Sequence, residues 1–407
     1  MSTRRLAISH MGARGEGVAD DGRGGTIYVP YALPGEVAEV EVHGQRGQVR
    51  KLVTASPDRV EPVCQHFRRC GGCMTQHWAH APYAAWKRQL VVNALARRGL
   101  GDFEVAALVV AHGAGRRRVT LTVDKGRAGF MGHRSHDLVQ VEECPVLVPA
   151  LQAAPAVAAA LAKAVGARKA LKVHVLASYS GLDCELIGVD DPELEARVKV
   201  AEVAEAFDLA RVTASGDLLI ERRRPLLDVD GVTVTPPRGG FAQATAAGEA
   251  ALAALVVPAL AGHAIVADLF CGWGTFALRL ARQSKVLALD SDKASVTALD
   301  AAVRGAPGMK PVVARARDLM GDPLTAAELK GVTGVVFDPP RAGAAAQAAE
   351  LVSAPGVTTV VGVSCDAGTF ARDAGVLVEG GFRLERVVPV DQFLHSAHVE
   401  MVGVFTR

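Results

Sequence analysis

The chain has 407 residues, half of them hydrophobic, with 45 Lys and Arg against 43 Asp and Glu for a net charge of +2. That length allows two or three domains and at least one large core. No apolar stretch is long enough for a bilayer crossing, and the opening MSTRRLAISHMGARGEG lacks the apolar centre of a signal peptide, so the expectation is a soluble, cytoplasmic protein with no membrane partner. The small net charge does not mark a nucleic-acid binder, and any polyanion site must come from local clustering.

In chain order, three regions differ in texture. Residues 1–60 alternate short apolar runs (TIYVPYAL, EVAEVEV, GQVRKLVTA) with Gly, Pro and Asp, the pattern of a small β-barrel. Residues 61–240 mix strands and helices, with helical periodicity over 81–100 and over LQAAPAVAAALAKAVGA; VTVTPPRGG (232–240) reads as a connector. From 241 to 407, apolar strands alternate with helices: 264–270, 285–290, 311–316, 334–338 and 359–364, then RLERVVPV and VEMVGVF. Such runs imply a parallel sheet covered on both faces, with ligands beyond the carboxyl ends of its strands.

Seven cysteines, an odd number, argue against a disulfide framework and for ligation or catalysis: Cys64, Cys70, Cys73, Cys144, Cys184, Cys271 and Cys365. Cys64, Cys70 and Cys73 form C-x5-C-G-G-C, and Cys144 is a possible fourth thiolate from a separate loop. Four thiolates suit zinc or an iron–sulfur cluster. The spacing is not the C-x3-C-x2-C of radical adenosylmethionine enzymes. Basic residues cluster nearby: residues 41–90 carry eight Lys/Arg against three Asp/Glu, and 111–140 carry six against two, including Arg116, Arg117 and Arg118. With ERRR at 221–224 these could neutralise phosphates, and His66, Phe67, His77 and Trp78 could stack on RNA bases, although charge runs are often solvated faces.

In the last region the first strand ends in ADLFCGWGTF, where Phe270 precedes Gly272 and Gly274, glycines that permit a tight turn and a close ligand approach. The next strand ends at Asp290, whose carboxylate could accept both ribose hydroxyls of an adenosine, and Asp318 ends the third, where adenine would lie. The third glycine of the dinucleotide fingerprint is replaced by Ala277, which favours S-adenosylmethionine over NAD. The fourth strand ends in FDPPRAG, where Asp338 is followed by Arg341 instead of the aromatic residue or cysteine expected for an amine or cytosine substrate. The fifth ends at Cys365. A thiolate adding to carbon 6 of uracil makes carbon 5 nucleophilic, and a base must later remove the carbon-5 proton. Glu400, the only carboxylate after Asp391, is the candidate base, and the helix after Cys365 is placed to depress the thiol pKa.

Taken together, these motifs resemble the RNA 5-methyluridine methyltransferase family over nearly the whole chain, closest to the branch modifying bacterial 23S ribosomal RNA. GARGEGVADDGRGGTIYVPYALPGE is similar to that branch's TRAM domain, and C-x5-C-G-G-C-x2-Q with Cys144 to its four-cysteine [4Fe–4S] site. FAQA resembles the loop whose Phe and Gln meet cofactor and target base, which implicates Gln243 in both. The resemblance implies a class I (Rossmann-like) α/β methyltransferase domain behind a TRAM/OB-like barrel and a mixed α/β central domain. It further implies S-adenosylmethionine and a [4Fe–4S] cluster as cofactors, RNA as partner (ribosomal ahead of transfer RNA) and no obligate protein partner. Asp366-Ala367 stands where the family commonly has Asn-Pro, and Thr245 where it usually has Asn. The rivals are methylation of uridine 54 in transfer RNA, and a non-catalytic RNA-binding or assembly protein, against which intact Cys365 and Glu400 argue.

Overall fold

The computed structural model describes residues 2–101 and 103–407. Five strands, Ser2–Met11, Glu16–Asp20, Thr26–Pro30, Val37–His43 and Arg46–Thr54, close into a barrel. Alternation explains its core: Ile27 and Val29 point inward to meet Leu6, Ile8, Ala38 and Val40.

The middle of the chain forms a seven-stranded, almost wholly antiparallel sheet running from Leu138–Gln140 at one edge to Asp217–Glu221 at the other. Helices Ala154–Ala164 and Leu194–Ala206 cover it, burying Val157, Leu161, Val200 and Ala204. The first of these is shorter than the periodic run, because Pro149–Leu151 is a separate 3-10 turn and Pro155 starts the α-helix. The stretch expected to be a connector is partly strand: Val232–Val234 pairs with Leu227–Val229.

The last region builds the expected doubly wound sheet. Its order is Val312–Ala316, Lys285–Asp290, Ile265–Leu269, Gly334–Phe337, Thr359–Ser364, Glu400–Thr406, Arg383–Asp391, Glu104–Val105. The first five are parallel, and the final strand inserts antiparallel between Thr359–Ser364 and Arg383–Asp391. Helices Ala246–Ala259 and Lys293–Gly305 bury Leu252, Val256 and Leu299 on one face; Ala345–Ser353 and Ala367–Glu379 bury Leu351, Phe370 and Leu377 on the other.

Two features of this sheet escape sequence periodicity. Glu104–Val105 and Val109–Val110, far upstream, pair with Arg383–Asp391; two-residue strands carry no readable alternation. Helix His80–Ala96, expected to run to 100, stops short of Gly99, whose φ is +72°. It packs Val91 and Leu95 into the core beneath this sheet. Among the described residues no helix is long and apolar enough to cross a membrane.

Candidate active site

The carboxyl edge of the parallel strands carries two adjoining clusters. The first surrounds the turn after Ile265–Leu269. Phe270 and Gly272 both take left-handed φ values, +62° and +52°. A Cβ at Gly272 would project into open space beside the turn, whereas one at Gly274 (φ +103°) would strike Leu299 Cδ1 at 2.5 Å. Gly274 is therefore fixed by packing, whereas Gly272 leaves its backbone open to approach. The Gly272 N–H donates to Asp290 Oδ2 at 2.8 Å, and Asp290 Oδ1 accepts from Asp292 N at 2.9 Å. Asp318 lies two residues beyond its strand, exposed, with Oδ1 accepting from Met320 N at 3.1 Å. Asp268, beneath the turn, is fully buried; among the described residues neither carboxylate oxygen has a partner at full hydrogen-bond geometry, and the Ala277 backbone N–H beside it is the one group that favours its charge. Burial pushes its carboxyl far above the ordinary range, and the charges of Asp338 and Asp290 add to the effect.

The second cluster comes from four chain segments. Ser364 pairs with Met401, so Cys365 and Glu400, the next residue along each antiparallel strand, meet at the sheet's edge. Glu400 is buried, and its Oε1 accepts from Gln392 Nε2 at 3.2 Å. The same Gln392 amide donates to Gln243 Oε1 at 2.7 Å, and Gln243 Nε2 donates to Asp338 Oδ2 at 3.2 Å. Two carboxylates are thus bridged by two amides. Burial raises the Glu400 carboxyl first and the nearby Asp338 charge raises it further; burial likewise raises Asp338, against the Gln243 hydrogen bond.

The Cys365 thiol departs from expectation. Burial, then the charges of Glu400 and Asp338, push it up to about 11, with Arg341 pulling the other way. The helix Ala367–Glu379 that follows is capped by Asp366, whose Oδ1 accepts from Gly368 N at 2.9 Å and Thr369 N at 3.0 Å. Asp366 therefore supplies a cap to the segment that carries the thiol. Thr245 acts similarly. Its hydroxyl accepts from Gly248 N at 2.8 Å, caps helix Ala246–Ala259 and donates to Ala111 O at 2.7 Å.

The loop bearing Gln243 is pinned on both sides. Trp273 Nε1 donates to Phe241 O at 2.6 Å, and Arg117 Nε donates to Gln243 O at 3.1 Å. Arg117 also pairs with buried Glu249, which makes it an internal brace and not a phosphate contact as its position in a basic run suggested. Arg118 stacks on Phe241 at 4.1 Å and Arg116 on Phe393 at 5.7 Å. Arg222 and Arg223 both pair with Asp208 at 2.8 Å. Two of the expected stacking residues are also core: His77 and Trp78 are buried, with Phe67 5.2 Å from the His77 ring. Arg341 remains at the surface beside His398, 3.3 Å away.

Cys64, Cys70, Cys73 and Cys144 line one cavity of about 390 Å³, together with Arg116, Arg118 and Phe241. All four are free thiols, and Gln76 Oε1 accepts from Cys64 N at 3.1 Å while Gln152 Oε1 accepts from Cys144 N at 3.1 Å. Among the described residues no three His, Cys, Asp or Glu side chains are grouped as a metal site. Cys184 and Cys271 are buried, the ordinary fate of a free cysteine.

Gln392 is the functional candidate that sequence reasoning missed. The strand drawn as 383–390 runs to Asp391, parallel to the first five, so Gln392 follows a carboxyl end like the other site residues. That rule could have found it.

No protein-family model matches the chain. It is 44% identical to an RNA methyltransferase of Caulobacter vibrioides over 99% of both chains, and 44% identical to one of Brucella suis over 100% of this chain and 98% of that one. It is 33% identical to the 23S rRNA (uracil(1939)-C(5))-methyltransferase RlmD of Chromohalobacter salexigens, over 99% of this chain and 89% of that one. Its fold is similar to that of the tRNA (uracil-54, C5)-methyltransferase of Pyrococcus abyssi, solved with S-adenosyl-L-homocysteine, with TM-score 0.76 and 23% identity over 99% of both chains.

Proposed function

The chain belongs to the RNA methyltransferase family, and we propose that it methylates carbon 5 of a uridine in 23S ribosomal RNA through a covalent adduct on Cys365. The observation that carries this reading is the meeting of Cys365 with two amide-bridged carboxylates, buried Glu400 and half-buried Asp338, at one sheet edge. The ribosomal target rests on the kinship with the 23S rRNA enzyme.

Uracil presents an N–H at position 3 beside a carbonyl at position 4. A carboxylate acceptor (Asp338) next to an amide donor (Gln243) complements that pair, whereas cytosine presents the reverse at both positions. With the base flipped into the crevice, Cys365 Sγ bonds to carbon 6 and the ring electrons move to the carbon-4 oxygen, which makes carbon 5 nucleophilic. Bound S-adenosylmethionine would supply the methyl group. The bare Gly272 backbone, Gly274 and Phe270 would shape its site, with Asp290 on the ribose, Asp318 near adenine and Gln243 at the boundary with the base. Glu400 then takes the carbon-5 proton and the carbon–sulfur bond breaks, returning the thiolate. A thiol held up to about 11 is mostly protonated at neutral pH, so its proton must pass to water as the substrates assemble, leaving Glu400 free for the carbon-5 proton; Arg341 is the cation that favours the thiolate.

The four free thiols that line the cavity would hold a [4Fe–4S] cluster, an all-cysteine donor set being the one such a cluster takes. Iron and sulfide analysis of anaerobically purified protein tests this. The reaction itself is tested by mapping 5-methyluridine in ribosomal and transfer RNA from a deletion strain complemented with the wild type or Cys365→Ala. One 23S position should be lost and restored only by the wild type. Loss at uridine 54 of transfer RNA would move the target, and restoration by Cys365→Ala would remove the mechanism.

A further inference from the structure

The loop 392–399, between the last two strands, carries Gln392 on the bridged carboxylates, Phe393 beneath Arg116 and His398 beside Arg341. Its anchors come from near the other end of the chain. Lys87, fully buried on helix His80–Ala96, donates to the Asp391 carboxylate, to Phe393 O at 3.0 Å and to His398 O at 2.7 Å. All three ammonium protons are used, and they reach both ends of the loop. One turn earlier, Tyr83 Oη donates to Asp391 Oδ2 at 2.7 Å and accepts from His395 N at 3.1 Å. His112 Nε2 also meets Asp391 Oδ2, at 2.8 Å. The loop's midpoint reaches the cysteine lobe, where His395 O accepts from Met74 N at 2.8 Å and Thr75 N at 3.3 Å, just after Cys73.

A desolvated ammonium is a costly way to hold a loop, since apolar side chains of similar volume often serve as well or better. What the charge adds is direction, because its hydrogen bonds are satisfied by one arrangement of Asp391, Phe393 and His398. We propose that Lys87 is a positioning residue for methyl transfer, fixing the loop 392–399 so that Gln392 and Glu400 face Cys365. This role rests on the uracil-C5 reaction proposed above.

Three variants of the full chain test it: Lys87→Met, Lys87→Met with Asp391→Asn, and Tyr83→Phe. The double variant leaves no unpaired buried charge. Tyr83→Phe removes two hydrogen bonds, to Asp391 and from His395 N, and no charge, so it remains informative if the others fold poorly. For each, Tm, calorimetric affinity for S-adenosyl-L-homocysteine, kcat, KM for RNA and the fraction of chain bound covalently to RNA are measured. The two Lys87 variants should keep cofactor affinity within about twofold while kcat falls on the order of 10- to 100-fold, the cost of misplacing a reacting group by about an ångström. Adduct should accumulate, because a displaced Glu400 stalls release. The double variant should regain Tm without regaining kcat, and Tyr83→Phe should lose several-fold in kcat at nearly unchanged Tm. Recovery of kcat in the double variant would overturn the role, as would parallel loss of kcat and cofactor affinity in step with folded fraction. A wild type that forms neither adduct nor 5-methyluridine would instead remove the reaction reading.

Discussion

The two halves of the crevice are built differently. On the proposed cofactor side, each polar group comes from its own strand end and is held by neighbours in sequence or by one adjacent turn: Asp290 holds Gly272 and Asp292, and Asp318 holds Met320. On the proposed base side, Glu400 and Gln392 from the two ends of one loop, and Gln243 and Asp338 from two other segments, hold one another, so no group is placed without the others. The first arrangement keeps acceptors free to turn to a ligand at small cost. The second suits the proton-handling role proposed for it, which predicts that changes there act on chemistry, whereas changes on the proposed cofactor side act on binding.

Glu400→Gln should give the largest effect. Loss of a general base lowers kcat by about 10²- to 10⁴-fold, and the covalent RNA adduct should persist on a denaturing gel. Because burial and Asp338 raise the Glu400 carboxyl, its basic form grows as pH rises through that elevated ionisation. Breakdown of the covalent adduct, a step that follows ionisation of the thiol, should therefore quicken with pH in the wild type along a limb that the Gln variant lacks. An unchanged limb in Glu400→Gln would show that another group is the base.

Asp290→Ala should do the opposite kind of damage. Hydrogen bonds to a charged acceptor contribute about 1.5–3 kcal/mol, so KM for S-adenosylmethionine should rise roughly 10- to 150-fold with kcat little changed. A fall in kcat at constant KM would erase the contrast between the halves. Gln392→Leu sharpens it from the other side. It strips a donor from both Gln243 and Glu400, and kcat should fall about tenfold with cofactor affinity intact by calorimetry.

The same difference explains what could be read from the sequence. Gly272, Gly274, Asp290, Asp338 and Cys365 are local: each sits where an apolar run stops, and the carboxyl-end rule finds it. Glu400 was legible only as a carboxylate late in the chain, while its register opposite Cys365 depends on the last strand inserting antiparallel. Lys87, Tyr83 and Asp391 were invisible, because a lysine on a helix of weak amphipathic pattern reads as solvated surface until the fold buries it. Arg117 erred in the same direction, a basic-run member that the fold turned inward onto Glu249. The barrel and the wound sheet rest on periodicity and were readable; Glu104–Val105 and Val109–Val110 are too short to have any.

The smallest expected effect bears on the thiol itself. Cys365 is held up to about 11 by burial, Glu400 and Asp338, with Arg341 alone among the named charges favouring the thiolate. The thiolate is the form that alkylates, and below the pKa its fraction changes tenfold per pH unit. Removing the cation in Arg341→Ala should move the midpoint further up and slow iodoacetamide labelling of the Cys365 peptide at any pH below it. Glu400→Gln removes a repelling negative charge and should shift labelling the other way, to a lower midpoint. Peptide-resolved mass spectrometry separates this cysteine from the four around the cavity. Opposite shifts in the two variants would establish that the nucleophile's proton is governed by the charges around it. Identical labelling in both would mean that burial alone holds the thiol, and that Arg341 serves the RNA and not the sulfur.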